Sequence, residues 1–139
     1  MLRFAAAVDR IPESRRWVVE WAWRNGARAQ ELRILALLST EAVTNAIRHG
    51  PDGGEVTVMV TADAAGWRVA VTDESPVRPS RLEVDPRASG GRGVMLIDRL
   101  SAGWGVDVDG DRGKAVWFRV ARPEGAGLPG QGPTPGAPA

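Results

Sequence analysis

Hydrophobic positions recur with a period of about 3.6 over the first third of the chain and with a period of two thereafter. Leu2 to Val8 predicts a short first strand. Asp9 to Ser14 carries a helix start, with Pro12 early in it, where the missing N–H costs least. Trp17, Val18, Trp21 and Ala22 then form a helical stripe that stops at Asn25-Gly26. A second, stronger helix places Leu32, Leu35, Ala36, Ala42, Val43, Ala46 and Ile47 on one face until Gly50-Pro51. After the turn Pro51-Asp-Gly-Gly54, Val56, Val58 and Val60 alternate with Thr57, Met59 and Thr61, the pattern of a half-buried strand. Asp63-Ala-Ala-Gly66 makes a turn, and Trp67, Val69 and Val71 alternate again, so the pair predicts a hairpin.

Residues 74–91 are rich in Pro, Arg and Gly and read as a long loop. Val94 to Leu100 predicts a short helix with Val94, Ile97 and Leu100 facing inward. Trp104 to Val108 and Ala115 to Val120 predict a closing hairpin around Asp109-Gly-Asp-Arg-Gly113. Helices followed mainly by hairpin strands give an α+β class: a two-layer sandwich with helices on one face of a mostly antiparallel, mixed sheet. Pro123 to Ala139 holds five of the ten prolines and five of the 17 glycines. Such a segment buries too little apolar surface to offset its ordering entropy, so it is expected to be a disordered tail after a domain at 1–122.

Composition narrows the chemistry. The chain has 139 residues and no cysteine, which excludes disulfides, thiolate zinc sites and cysteine nucleophiles. Its charge of +1 lacks the basic excess usual in nucleic-acid binders, and its arginines are scattered. No apolar run approaches a membrane span and no signal-peptide core follows Met1, so a cytoplasmic protein is expected, with neither nucleic acid nor membrane as partner. Lys114 is the only lysine among 18 basic residues.

Glu41, Asn45 and His49 lie one turn apart on a stripe spanning roughly 12 Å, opposite the apolar face of the second helix. The stripe reads either as a solvated helix face or as a site. In the second case Asn45 offers a carbonyl oxygen to Mg²⁺, and Glu41 orients or deprotonates an attacking hydroxyl. His49 would then donate to a phosphate oxygen, or else is a surface histidine near a helix C-terminus. Asp73, at a strand end, suits either an exocyclic amine or a turn. Ser89-Gly-Gly-Arg-Gly93, just before the short helix, reads as a phosphate-cradling loop or as a flexible cap. It matches neither a Walker A loop nor a dinucleotide fingerprint. Lys114 opens the last strand, pointing into a phosphate site or decorating a hairpin. Trp17 and Trp21 share a helical face and suit the core, while Trp23 lies off it and suits a protein interface.

Together these pieces resemble the GHKL (Bergerat-fold) ATPases. Glu41-Ala-Val-Thr-Asn-Ala-Ile-Arg-His-Gly50 looks like the family's N box, and Asp73-Glu-Ser-Pro76 stands where its first glycine box would be. Gly90-Gly-Arg-Gly-Val-Met-Leu-Ile97 looks like the second box, and Gly113-Lys-Ala-Val-Trp-Phe118 resembles the final strand motif. Four motifs stand in the family's order over residues 32–120. Within the family, the chain is most similar to anti-sigma-factor serine/threonine kinases of the small, stand-alone actinobacterial kind.

The resemblance implies a Bergerat fold that binds ATP and Mg²⁺ between the Glu41–His49 helix and the 74–93 loop. Glu41 would be the catalytic base, Asn45 the Mg²⁺ ligand and Asp73 the acceptor of the adenine amine. Gly91, Arg92 and Gly93 would form the phosphate-side loop, with His49 and Lys114 as further nucleotide contacts. It also implies two partners, a sigma factor that is sequestered and a STAS-type antagonist that is phosphorylated on serine, and it allows a homodimer. A phosphate there would block rebinding by its charge. Two departures bear on affinity: the first box has Asp73-Glu-Ser-Pro76 where many members have Asp-x-Gly-x-Gly, so that Pro76 stiffens the segment, and Ala115 stands where a threonine hydroxyl is common. They leave room for an alternative, a non-catalytic, nucleotide-gated protein-interaction module. A histidine-kinase catalytic domain is less favoured, because no separate two-helix phosphoacceptor region is legible.

Overall fold

The computed structural model describes residues 1–75, 89–108 and 113–123. Strand β1 (Leu2–Ala5) leads through a 3-10 turn (Val8–Arg10) into helices α1 (Ile11–Arg24) and α2 (Ala29–His49). Strands β2 (Glu55–Asp63) and β3 (Gly66–Asp73) follow, then α3 (Ser89–Leu100), β4 (Gly103–Val108) and β5 (Lys114–Ala121). The sheet order is β1-β2-β3-β5-β4, and every ladder is antiparallel. The expected α+β sandwich is present. Its sheet is antiparallel rather than mixed: the α1–α2 excursion returns the chain antiparallel to β1, and the α3 excursion returns it as β4, parallel to β3 but separated from it by β5, which runs antiparallel to both.

Local chemistry sets the helix ends. Pro12 occupies the first turn of α1, and Ser14 Oγ donates to the Ile11 carbonyl at 2.9 Å. At the start of α2, Glu31 Oε1 accepts the Arg28 N–H at 3.2 Å, half of a capping box. The core lies between α1–α2 and one face of the sheet. Val18, Ala22, Leu35, Leu38, Ala42 and Val43 meet Val58, Trp67, Val69, Val71, Val116 and Phe118, all buried. Burying each of the larger side chains contributes roughly 1.5–3 kcal/mol. The opposite sheet face carries Met59, exposed, and Trp117, over which Arg68 stacks at 5.0 Å. At the far end of β5, Arg122 stacks on the buried Trp67 at 4.3 Å and donates to the Asp63 carbonyl at 3.3 Å.

Several expected boundaries move. The first strand ends at Ala5, since Val8 is exposed in the 3-10 turn and has no ladder partner. Helix α3 begins at Ser89, five residues before the expected start at Val94, so Ser89–Gly93 is helical rather than a loop before the helix. Glycine disfavours helix by about 1 kcal/mol per residue, and packing of α3 on α2 overrides that preference. Ile97 is buried and Val94 partly so, but Leu100 is exposed. Trp17 and Trp21 pack against the core while Trp23 is 65% exposed, as their spacing indicated. Positions 76–88 of the expected loop, the hairpin tip 109–112 and the expected tail beyond Pro123 lie outside the described residues.

Candidate functional site

Antiparallel pairing sets Asp73, the last residue of β3, opposite Lys114, the first of β5. Both side chains point to the helix side, in register with Val71 and Val116, and both are buried. Lys114 Nζ donates to Asp73 Oδ2 at 2.5 Å, and Oδ1 accepts the Ser75 N–H at 2.6 Å. The approach of the two strand ends depends on Gly113. Its φ of +148° belongs to glycine, and a Cβ there would lie 2.0 Å from the Asp73 carbonyl oxygen.

The polar stripe of α2 runs toward this pair. Asn45 is only 6% exposed, and its Oδ1 has no hydrogen-bond partner among the described residues. An unsatisfied buried acceptor costs about 1–3 kcal/mol, which a stripe selected only for solubility would not carry. A carbonyl oxygen held in this way suits a hard cation or a donor, so the residues fit the Mg²⁺ that the motif implies. Three other buried polar atoms lack partners, Ser39 Oγ, Trp67 Nε1 and Ser101 Oγ, but none belongs to this stripe. One turn earlier, Glu41 is partly buried, with Oε2 only 2.9 Å from where a Cβ on Gly93 would stand. The absent Cβ leaves the Glu41 carboxylate its place against α3. Gly93→Ala should improve α3 by about 1 kcal/mol through helix propensity yet push that carboxylate aside. The expected result is an unchanged or higher melting temperature with phosphotransfer reduced roughly 100-fold, checked by melting and phosphate incorporation.

His49 closes the stripe, partly buried beside the ion pair. Desolvation, then the charges of Lys114 and Arg48, hold its pKa below the ordinary 6.5, while Asp73 pulls weakly the other way. Below pH 6.5 the unfolded chain therefore binds a proton that the folded chain still refuses. Stability contributed by neutral His49 is complete above pH 6.5 and falls as pH drops toward the lowered value. Proton NMR should find the imidazole titrating below 6.5, and urea midpoints of His49→Gln should lose that part of the acid dependence.

The structure thus brings Glu41, Asn45, His49, Asp73, Gly93 and Lys114 to one end of the molecule. For Gly91 and Arg92 only the helical backbone, in the first turn of α3, is described. Two expectations change. The α2 stripe is not a solvated face, because α3 packs against α2 with Gly93 at Glu41. Lys114 neither decorates the hairpin nor reaches freely for phosphate, because Asp73 holds its ammonium. Asp73 in turn serves its own turn through Ser75 while keeping an oxygen for Lys114. The Lys114–Asp73 pairing was missed, although Lys114, Val116, Phe118 and Val120 alternate and already assign Lys114 to the buried face.

The model of the histidine kinase-like ATPase domain matches residues 4–120, which include all three helices, strands β2 to β4, β5 up to Val120 and all the residues of this site. The chain belongs to this family, the GHKL ATPases. An uncharacterised protein of Streptomyces coelicolor is 40% identical over 96 residues, covering 65% of this chain and 83% of the relative. Among solved structures, the mycobacterial sensor histidine kinase MprB shares 15% identity with a TM-score of 0.55, over 86% of this chain and 96% of that one. Full-length ShkA in complex with AMPPNP shares 20% identity with a TM-score of 0.54, over 91% of this chain and 33% of that one. At such identities the likeness to these kinases is one of fold. The five-stranded antiparallel sheet with its helical layer is the GHKL ATP-binding fold. Among the described residues of this GHKL domain, no helix is long and apolar enough to cross a membrane.

Proposed function

We propose that this GHKL domain binds Mg²⁺-ATP at the Glu41–Asp73 site and phosphorylates a serine on a STAS-type antagonist, while sequestering a sigma factor in the cytoplasm. The observation that carries the reading is the buried Oδ1 of Asn45, without a partner among the described residues and one turn from Glu41. Asn45 would hold the metal, whose chemistry is neutralisation of charge on the phosphates. Asp73 would receive the amine of the base, and His49 with the first turn of α3 at Gly91, Arg92 and Gly93 would face the phosphates. Glu41 would accept the proton of the serine hydroxyl as its oxygen bonds to the γ-phosphorus and the bond to the bridging oxygen breaks, leaving ADP. Such catalysis rests on positioning and charge, which suits a site with one base and one metal-binding amide.

Calorimetric titration of Mg²⁺-ATP into the wild type and Asn45→Ala tests the site. Binding weakened at least 100-fold in Asn45→Ala is expected in a protein at least as stable as the wild type, because removing a buried acceptor without a partner takes no hydrogen bond from the fold. Undiminished binding by Asn45→Ala would remove the metal from this helix. A second reading, a non-catalytic module gated by nucleotide, draws support from Asp73, whose two oxygens already accept from Ser75 and Lys114. It predicts partner binding with no added phosphate on a STAS-type protein; a mass gain on such a partner decides against it.

A further inference from the structure

At the far end of β5 from the candidate site, two opposite charges are buried without neutralising each other. Glu31, in the first turn of α2, is 5% exposed, and Arg122, just beyond β5, is 9% exposed. Glu31 Oε1 accepts the Arg28 N–H, and no cation pairs with its carboxylate among the described residues. Arg122 donates from Nε and Nη2 to the Asp63 carbonyl and stacks on Trp67, which fixes the plane of its guanidinium. That carbonyl takes two of five N–H donors, and no carboxylate pairs with the guanidinium among the described residues. Charged groups buried this deeply are ordinarily paired.

Both side chains line one cavity of about 340 Å³, at the lower end of the roughly 300–1,000 Å³ usual for small-molecule sites. Its wall also includes Ile34, Leu100 and Val120, together with Ser101, whose Oγ has no partner among the described residues. Leu100, turned out of the core and exposed, thereby has an apolar surface to contribute here. We infer that this cavity binds a small zwitterion, an aliphatic α-amino acid. Its ammonium pairs with Glu31, its carboxylate with Arg122, and its side chain packs on Ile34, Leu100 and Val120. A ligand of one charge would leave the opposite wall uncompensated, whereas a zwitterion meets both and brings no net charge into the cavity. The guanidinium fork suits a carboxylate, and its stacked, hydrogen-bonded plane is already held before the ligand arrives.

Calorimetric titration of the full chain with L-leucine, L-leucine methyl ester and N-acetyl-L-leucine tests the assignment. The ester lacks the carboxylate and the acetyl compound lacks the ammonium, so each is expected to bind at least about 10-fold more weakly than leucine. Glu31→Gln keeps an oxygen for the Arg28 N–H while removing the charge. In that variant leucine should bind at least about 10-fold more weakly than to wild type, and within about threefold of N-acetyl-leucine. The wild-type comparison decides by itself if Glu31→Gln does not fold. Absence of saturable leucine binding by the folded wild type overturns the assignment. So does equal binding of leucine and either derivative, or undiminished leucine binding by Glu31→Gln. None of these results bears on Mg²⁺-ATP at the other end of β5, so the nucleotide reading stands or falls separately.

Discussion

Glu41→Gln is expected to lower phosphotransfer by a factor of 10²–10⁴ while leaving Mg²⁺-ATP affinity within about threefold of wild type. The amide keeps the shape of the carboxylate, and so keeps its packing against Gly93, but has no basicity with which to take a hydroxyl proton. The contrast with Asn45 one turn later is the useful part. There, removal of an oxygen is expected to act on binding; here, removal of the proposed base is expected to act on the chemical step alone. Phosphate incorporation into the partner and calorimetry on the same sample check both halves. A parallel fall in affinity would mean that Glu41 holds the nucleotide rather than the proton.

Lys114→Met is expected to have the largest effect on stability. Removal of one partner from a buried ion pair leaves the other charge uncompensated and typically costs about 3–5 kcal/mol. Asp73 would retain only the Ser75 amide in a position 3% exposed. For a domain of this size the melting temperature should fall by roughly 10–20 °C. The combined replacement Asp73→Val/Lys114→Met should recover most of the loss, short of about 1 kcal/mol for the Ser75 turn, because an apolar pair of similar volume needs no compensation. The His49 titration gives an independent reading of the single variant. Its pKa should rise once the neighbouring ammonium is gone, since that charge helps to hold it down. A single variant as stable as wild type would mean that the two groups are not an ion pair in solution.

The parts of the fold that were legible in the sequence are those where one face of an element meets the core. The β2–β3 hairpin follows from Val56, Val58 and Val60 alternating against Trp67, Val69 and Val71, and α2 from its apolar stripe ending at Gly50. Where preference and packing disagree, the sequence misleads. Ser89-Gly-Gly-Arg-Gly93 has the composition of a loop, and only the surface of α2 gives those residues a reason to be helical. The same docking explains why a solvated face stayed open as a reading of Glu41 and Asn45: the element that covers them comes more than 40 residues later. Candidate site residues were legible from motif order, yet the Asp73–Lys114 bond, between residues 41 apart, depends on β5 pairing with β3. Alternation along β5 assigns Lys114 to the inner face, but only the sheet order names its partner there.

Strand β5 also separates the two ends of the domain. It begins at Lys114, inside the candidate site, and ends at Ala121, after which Arg122 lies clamped over Trp67. Seven residue steps of extended strand span about 23 Å. Arg122 therefore lies at the pole opposite the candidate site. A fluorophore or affinity handle coupled at Pro123 would stand clear of the candidate site. A molecule docked at that pole would sense occupancy of the candidate site only through the sheet.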